Sequence, residues 1–221
     1  SQIDRQYLTA LIRYNAALQE RNKLLKTSPT EDILLIYDAM LTAAAEVIYT
    51  KRAETIEAMR PLVSHFYALL SEERETTSLE YRSELQTASL ADLLLASRQR
   101  DFVNEHTTSG IHRDDILFSI GDYPLRKYGS QGQQKSFLIA LKLAEYTLLA
   151  QHSGCKPILL LDDLFDKLDM RRVAQLLKLT SGNEFGQILI TDCNKHRLQR
   201  TLDEAAAEYS LFTIVNGKST L

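Results

Sequence analysis

Glycine and proline are scarce, eight and four among 221 residues, which argues against a sandwich of many short strands joined by tight turns. Only two cysteines occur, Cys155 and Cys193. They lie far apart, fit no metal-ligand spacing and read as reduced thiols rather than as a disulfide framework. No run reaches about 18 consecutive apolar residues, and Ser1 is followed by a polar helix rather than by a signal peptide, so a soluble, cytoplasmic chain with no membrane partner is expected. Positive charge is not in excess: 26 Lys and Arg stand against 29 Asp and Glu, a formal net charge of -3. Composition alone therefore gives no reason to expect nucleic acid, although a local basic patch stays open.

What is present is a chain 44% hydrophobic, long enough for one large domain or a domain with an appendage. Blocks rich in Ala, Leu, Glu and Gln predict a helix-rich α/β protein. The chain opens inside an amphipathic segment with neither Met nor a leading strand, as a fragment would.

Two halves differ in pattern. Residues 4–26 place Tyr7, Leu11, Tyr14, Leu18 and Leu25 on one helical face, with Arg21 as an interruption. After "KTSPTED" a second helix is predicted over 31 to about 72, with a stripe of Ile33, Tyr37, Met40, Ala44 and Val47, and with Pro61 kinking or ending it. Two long helices joined by a short turn suit an antiparallel hairpin, either in a helical bundle or as a protruding arm. "SLEYRSEL" (78–85) alternates like a strand, and 91–106 returns to helix. "DDILFSIGDYPLRKYG" then reads as strand, Gly-Asp turn, strand. Further on come a buried helix (136–150), a strand (158–161), a helix (170–180), a strand (187–191), a helix (195–207) and a last strand (209–215). Strands alternating with helices imply a parallel sheet covered on both faces.

Two segments carry candidate chemistry. In "KPILLLDDLFDKLD", Asp162 and Asp163 end a short apolar strand, where open α/β sheets bind ligands. Adjacent acids there suit a hydrated Mg2+ held with a nucleotide, the Walker B pattern, or merely cap a loop. Asp166 follows, and Asp169 reads as the N-cap of the next helix. In "KYGSQGQQKS", Ser130 and Gln133 form an S-x-x-Q capping box. The run is either a capped helix after a turn or an anion-contacting helix tip, with Gly129 and Gly132 leaving room for close approach.

Two further segments are set aside. "NGKST" has Phe212 where a P-loop needs its first Gly and no following helix, so it reads as a tail or a hairpin turn. "HRDD" (112–115) imitates a kinase loop but has Ser119 in place of the metal-binding Asn.

The order of signature helix, acid-ended strand and D-x-L-D is that of ABC-type ATPases. "SGIHRDDILFSIGDYPLRKYGSQGQQKSFLIALKLAE" with "PILLLDDLFDKLD" closely resembles the RecF family of bacterial recombination mediators, as do "YLTALIRYNAALQERNKLL" and "LEYRSEL", so the likeness covers nearly the whole chain. The resemblance implies an α/β, ABC-ATPase-type C-terminal lobe with an inserted helical arm domain: residues 1–105 the arm, 106–221 the signature and Walker B lobe, and the Walker A lobe missing.

It further implies that Ser130 and Gly132 meet the γ-phosphate of ATP held by the opposite subunit of a homodimer, with Gln133 in support. Asp162 would hold Mg2+, and Asp163 stands where a water-activating Glu is usual, implying a slow ATPase in the whole protein and none in this chain. Asp166 and Asp169 would lie in the loop that crosses the dimer interface. Implied partners are DNA, at gaps or single-strand/double-strand junctions, and RecR, RecO and RecA. Asp192 stands at the usual switch-His position, with His196 four residues too late, and Ile111 stands where Pro is expected. Arg98, Arg100, Arg126, Lys127, Arg171 and Arg172 are candidate phosphate contacts. The alternatives are another arm-bearing ATPase of the SMC or Rad50 kind, or a non-catalytic interaction module.

Overall fold

A computed structural model of the chain describes residues 4–27, 30–72, 75–162, 168–205, 208–215 and 217–220. It bears out the mixed α/β class. The chain divides into two compact units, 1–61 with 78–119, and 62–77 with 120–221.

The first unit is built on α1 (Arg5–Leu25) and the first part of α2 (Glu31–Ser71). Asp4 caps α1 by accepting the Tyr7 N-H at 3.0 Å, which satisfies one of the free amides of the first turn. The two helices run antiparallel: Lys51 pairs with Asp4 at one end and Arg21 with Asp38 at the other. Ala10, Tyr14 and Ala17 pack against Leu41, Ala44, Ala45 and Ile48, and against Leu90 and Leu94 of α3 (Leu90–Asn104). Strand β1 (Thr77–Arg82) follows the expected alternation, and β2 (Asp115–Ile120) stands where a strand is expected but without alternating burial.

Three expectations for these helices are corrected. Arg21 does not interrupt the α1 stripe; it is fully buried within it. The α2 stripe is displaced by one residue, to Leu34, Asp38, Leu41, Ala45 and Ile48, leaving Met40 50% and Ile33 41% exposed. Both departures have one cause. Arg21 donates to Asp38 at 2.7 Å, to Asp101 at 2.8 Å and to Thr107 at 2.8 Å, while Arg98 donates to the second oxygen of Asp38 at 3.1 Å. Two cations meet two carboxylates, so the charges are buried as a neutral set. Thirdly, α2 does not end at Pro61, which lies inside it. The helix is long and apolar enough to cross a membrane by length and composition, yet its first part is a core helix with an ion-paired Asp on its buried face.

The first "HRDD" acid, Asp114, is structural. One of its oxygens accepts from Arg52 at 2.8 Å and from Tyr81 at 2.6 Å. His112 presents Nε2 to the Thr107 carbonyl at 3.1 Å, so Nε2 carries the hydrogen and Nδ1 accepts from the Tyr14 hydroxyl at 2.9 Å. Burial is the largest influence on this imidazole and pushes its pKa below the ordinary 6.5.

The second unit contains the last turns of α2, β3 (Tyr123–Pro124), α4 (Leu125–Tyr128), α5 (Gln131–Ser153), β4 (Leu159–Leu161), α6 (Met170–Thr180), β5 (Ile188–Ile190), α7 (Lys195–Glu204), β6 (Thr213–Val215) and β7 (Lys218–Thr220). The expected second strand of "DYPLRKYG" shrinks to two residues, because Pro124 supplies no N-H and instead precedes a helical turn. Strands β4 and β5 pair in parallel, Leu159 with Ile188 and Leu161 with Ile190. One side of this ribbon is packed, through Leu159 and Leu161. The other is bare, with Leu160 68% and Leu189 50% exposed, contrary to the expectation of cover on both faces. Strands β6 and β7 form an antiparallel hairpin with Gly217 at positive φ, so the Gly217-Lys218-Ser219 run belongs to a hairpin.

Helix α5 is the core of this unit. Phe137, Ala140, Leu143 and Ala144 are buried with Val173, Leu176 and Leu177 of α6. Tyr67 of α2 lies 5.8 Å from Phe137, centroid to centroid, and Tyr146 lies 4.9 Å from Phe185. Gly154 ends α5 in the left-handed conformation at φ 67, which costs a glycine least.

Candidate nucleotide edge of the second unit

Ser130 is the N-cap of α5 and the capping box is complete. Its hydroxyl oxygen accepts the Gln133 N-H at 3.2 Å, and its own N-H donates to Gln133 Oε1 at 2.8 Å. The amides of Gln131 and Gly132, the first two of the helix, find no acceptor among the described residues, and Ser130 and Gln131 are exposed. An exposed helix tip with two open N-H groups and the positive end of the dipole attracts anions. Gly129 has another reason to be glycine than ligand approach: a Cβ there would meet both a methyl and the carbonyl oxygen of Leu125 at 2.6 Å.

Gln133 is committed on both sides of its amide. Its Oε1 takes the Ser130 N-H and its Nε2 donates to Glu75 at 2.9 Å, so it braces the tip. Gly132 is half-buried, and its carbonyl accepts from the Ser136 hydroxyl at 2.8 Å.

Asp162 is exposed directly after β4. Its carboxylate accepts the hydroxyl of Thr191, which follows β5, and the Thr191 N-H donates to the Leu161 carbonyl at 3.0 Å. Parallel register thus puts a carboxylate and a hydroxyl side by side at the carboxyl end of the ribbon. These are hard oxygen donors, fit for a Mg2+ that keeps most of its waters and takes the rest of its shell from phosphates. Among the described residues no group of three or more His, Cys, Asp or Glu is gathered to hold a metal by itself.

Asp169 is the N-cap of α6, accepting the Arg172 N-H at 2.9 Å, and its other oxygen lies 3.5 Å from Arg172 Nε. Asp163 and Asp166 lie outside the described residues. Among the described residues no contact joins Asp162 to Ser130, Gly132 or Gln133. Asp192 turns inward: its side chain has no exposure, accepts the Asn194 N-H at 2.7 Å and lies 3.6 Å from Arg197, while His196 is exposed. Arg98 and Arg172 serve internal pairs, and Arg100 donates to Thr108 and Ser109. Arg126, Lys127 and Arg171 are exposed.

Sequence reasoning missed Glu75 and Thr191. Thr191 follows a strand of the expected ribbon and was findable by pairing the two strand ends; nothing local marks Glu75.

No protein-family model matches the chain. Curated relatives do. The DNA replication and repair protein RecF of Phocaeicola vulgatus is 44% identical over 223 residues, which cover 100% of this chain and 60% of that protein. RecF of Bacteroides thetaiotaomicron is 43% identical over 219 residues (98% and 59%), and that of Flavobacterium johnsoniae 39% over 219 (97% and 61%). Among solved structures, the recombination mediator protein RecF-ATP of the RecFOR pathway superposes with a TM-score of 0.75 at 31% identity, covering 87% of this chain and 54% of that one. The corresponding RecF-ATPrS structure gives 0.78 at 28%, covering 98% and 59%. The chain spans about 60% of the length of the curated relatives it matches, and its fold is the ABC-ATPase fold of those RecF structures. The chain belongs to the RecF family of DNA replication and repair proteins.

Proposed function

We propose that this chain supplies the helical arm (1–105) and the signature and Walker B lobe (106–221) of a cytoplasmic RecF protein that binds ATP and DNA, dimerises on ATP and helps to load RecA at gapped DNA with RecR and RecO. The observation that carries the reading is the exposed tip of α5: a complete capping box and two open amides, on a chain whose solved relatives include RecF with ATP.

In this reading Ser130 presents its hydroxyl hydrogen, and Gly132 together with Gln131 the open amides, to the γ-phosphate of ATP held by the partner copy, and Gln133 holds the tip in shape. Asp162 holds Mg2+ at the end of β4, and the ion neutralises phosphate charge there. Asp163 takes a proton from the attacking water, and an Asp standing where a Glu is usual suits slow turnover. Asp166 and Asp169 lie on the loop facing the partner. ATP then acts as a clamp, stabilising the dimer that binds DNA, and hydrolysis releases it.

The test uses the full-length protein. ATP is expected to drive dimerisation in sedimentation velocity, Ser130→Arg to abolish ATP turnover, and Asp163→Ala to slow it. Unchanged turnover in Asp163→Ala favours the non-catalytic module. For the 221-residue chain alone, which contains no complete P-loop, calorimetry is expected to register weak or no ATP binding, and tight binding would contradict this division of labour.

A further inference from the structure

Ser130, Gly132 and Gln133 of the α5 tip each stand no more than one side chain away from a single ion pair. Glu75 follows α2, and one of its oxygens accepts from Gln133, whose other amide atom holds the Ser130 N-H. Arg172 of α6 donates from Nη1 to the buried Ser136 hydroxyl at 2.8 Å, and that hydroxyl donates on to the Gly132 carbonyl. Arg172 and Glu75 approach each other to 3.9 Å, with side chains only 18% and 23% exposed. Arg172 Nε also faces Asp169, and the Tyr67 hydroxyl takes the second oxygen of Glu75. One guanidinium therefore hydrogen-bonds α5 and lies within ion-pair distance of the segment after α2 and of the N-cap of its own helix, a task suited to its rigid fork of donors and not to a point charge.

We propose that Arg172 and Glu75 are positioning residues that hold the α5 tip and the Asp169 N-cap of α6 in one fixed relation, so that phosphate binding at the tip and engagement of that N-cap by a partner copy occur together. This rests on the nucleotide reading above. Neither residue touches nucleotide. Arg172 acts through Ser136 and Asp169, and Glu75 through Gln133. Both are charged, yet Arg172 is compensated by Asp169 and Glu75, which removes it from the candidate DNA contacts.

The test compares two readouts in the full-length protein: ATP affinity of the monomer at low protein concentration, and the protein concentration at which ATP drives half-dimerisation. Arg172→Ala is expected to leave monomer affinity unchanged and raise the dimerisation midpoint about tenfold. Arg172→Lys, which keeps the charge, is expected to recover part of that loss, and Glu75→Gln, which keeps an acceptor for Gln133, to lose less than Arg172→Ala. If Arg172→Ala fails to fold, Glu75→Gln and Arg172→Lys carry the same comparison. A wild-type dimer with variants at the wild-type midpoint, or with monomer affinity falling in parallel, overturns the coupling. A wild type that ATP does not dimerise overturns the nucleotide reading itself.

Discussion

Thr191 donates its hydroxyl hydrogen to the carboxylate of Asp162 across the ends of two parallel strands. The bond occupies one lone pair of the carboxylate and fixes its orientation, leaving others directed to solvent. Partners that orient a metal-binding carboxylate typically contribute 10–100-fold in metal affinity.

Thr191→Val is therefore expected to raise the Mg2+ concentration needed for half-maximal ATP turnover of the full-length protein by about tenfold, with the protein still folded. A Mg2+ titration with an unchanged midpoint would show that the hydroxyl does not orient Asp162 for a metal.

The buried set around Arg21 gives a second expectation. Arg21→Met removes one of two cations and leaves Asp101 without its arginine, while Asp38 keeps Arg98. Breaking a buried pair from one side costs about 3–5 kcal/mol, and urea unfolding of the 221-residue chain should register a loss of that size. A loss under about 1 kcal/mol would mean that water reaches these carboxylates.

These two sites mark how far the sequence could be read. The capping box and the Asp169 N-cap were legible because each is written within four residues and depends on nothing distant. The α2 stripe was not: "DILLIYDAMLTAAAEVI" is apolar on nearly every side, so periodicity admits two adjacent faces, and the choice is made by Asp38 reaching Arg21, a partner 17 residues away. Arg21 was misread for the same reason, since a charge inside an apolar stripe is an interruption until its partners are known. The tip was legible, but its support was not. Glu75 lies 58 residues before Gln133, and nothing near it in sequence signals a role.

Acid should act through His112. Its folded pKa lies below 6.5, so the unfolded chain takes up the proton first. The stability held by the neutral ring is complete above about pH 6.5 and falls as the pH drops from there towards the folded value, by up to about 1.4 kcal/mol per pH unit. His112→Gln is expected to be less stable at pH 7.5 but to lose less on acidification to pH 5.5, in denaturant titrations at both pH values. Parallel losses would remove His112 as the titrating group.

Pro61 sits exposed inside α2 and leaves the carbonyl of Glu57 without its usual helical partner. Pro61→Ala should stabilise the chain by about 1–3 kcal/mol in thermal or urea unfolding. A loss instead would mean that the helix needs the bend a proline imposes.

The central claim is that the α5 tip and Asp162 act on opposite sides of one nucleotide, each from a different copy. Full-length Ser130→Arg and Asp162→Asn should each lack ATP turnover alone. Mixed in equal amounts, half the dimers pair one variant with the other, and in each of those one site carries both native halves. Turnover should therefore return to about a quarter of the wild-type rate. A mixture that stays inactive would contradict the account, because it would place both residues in the same copy's site.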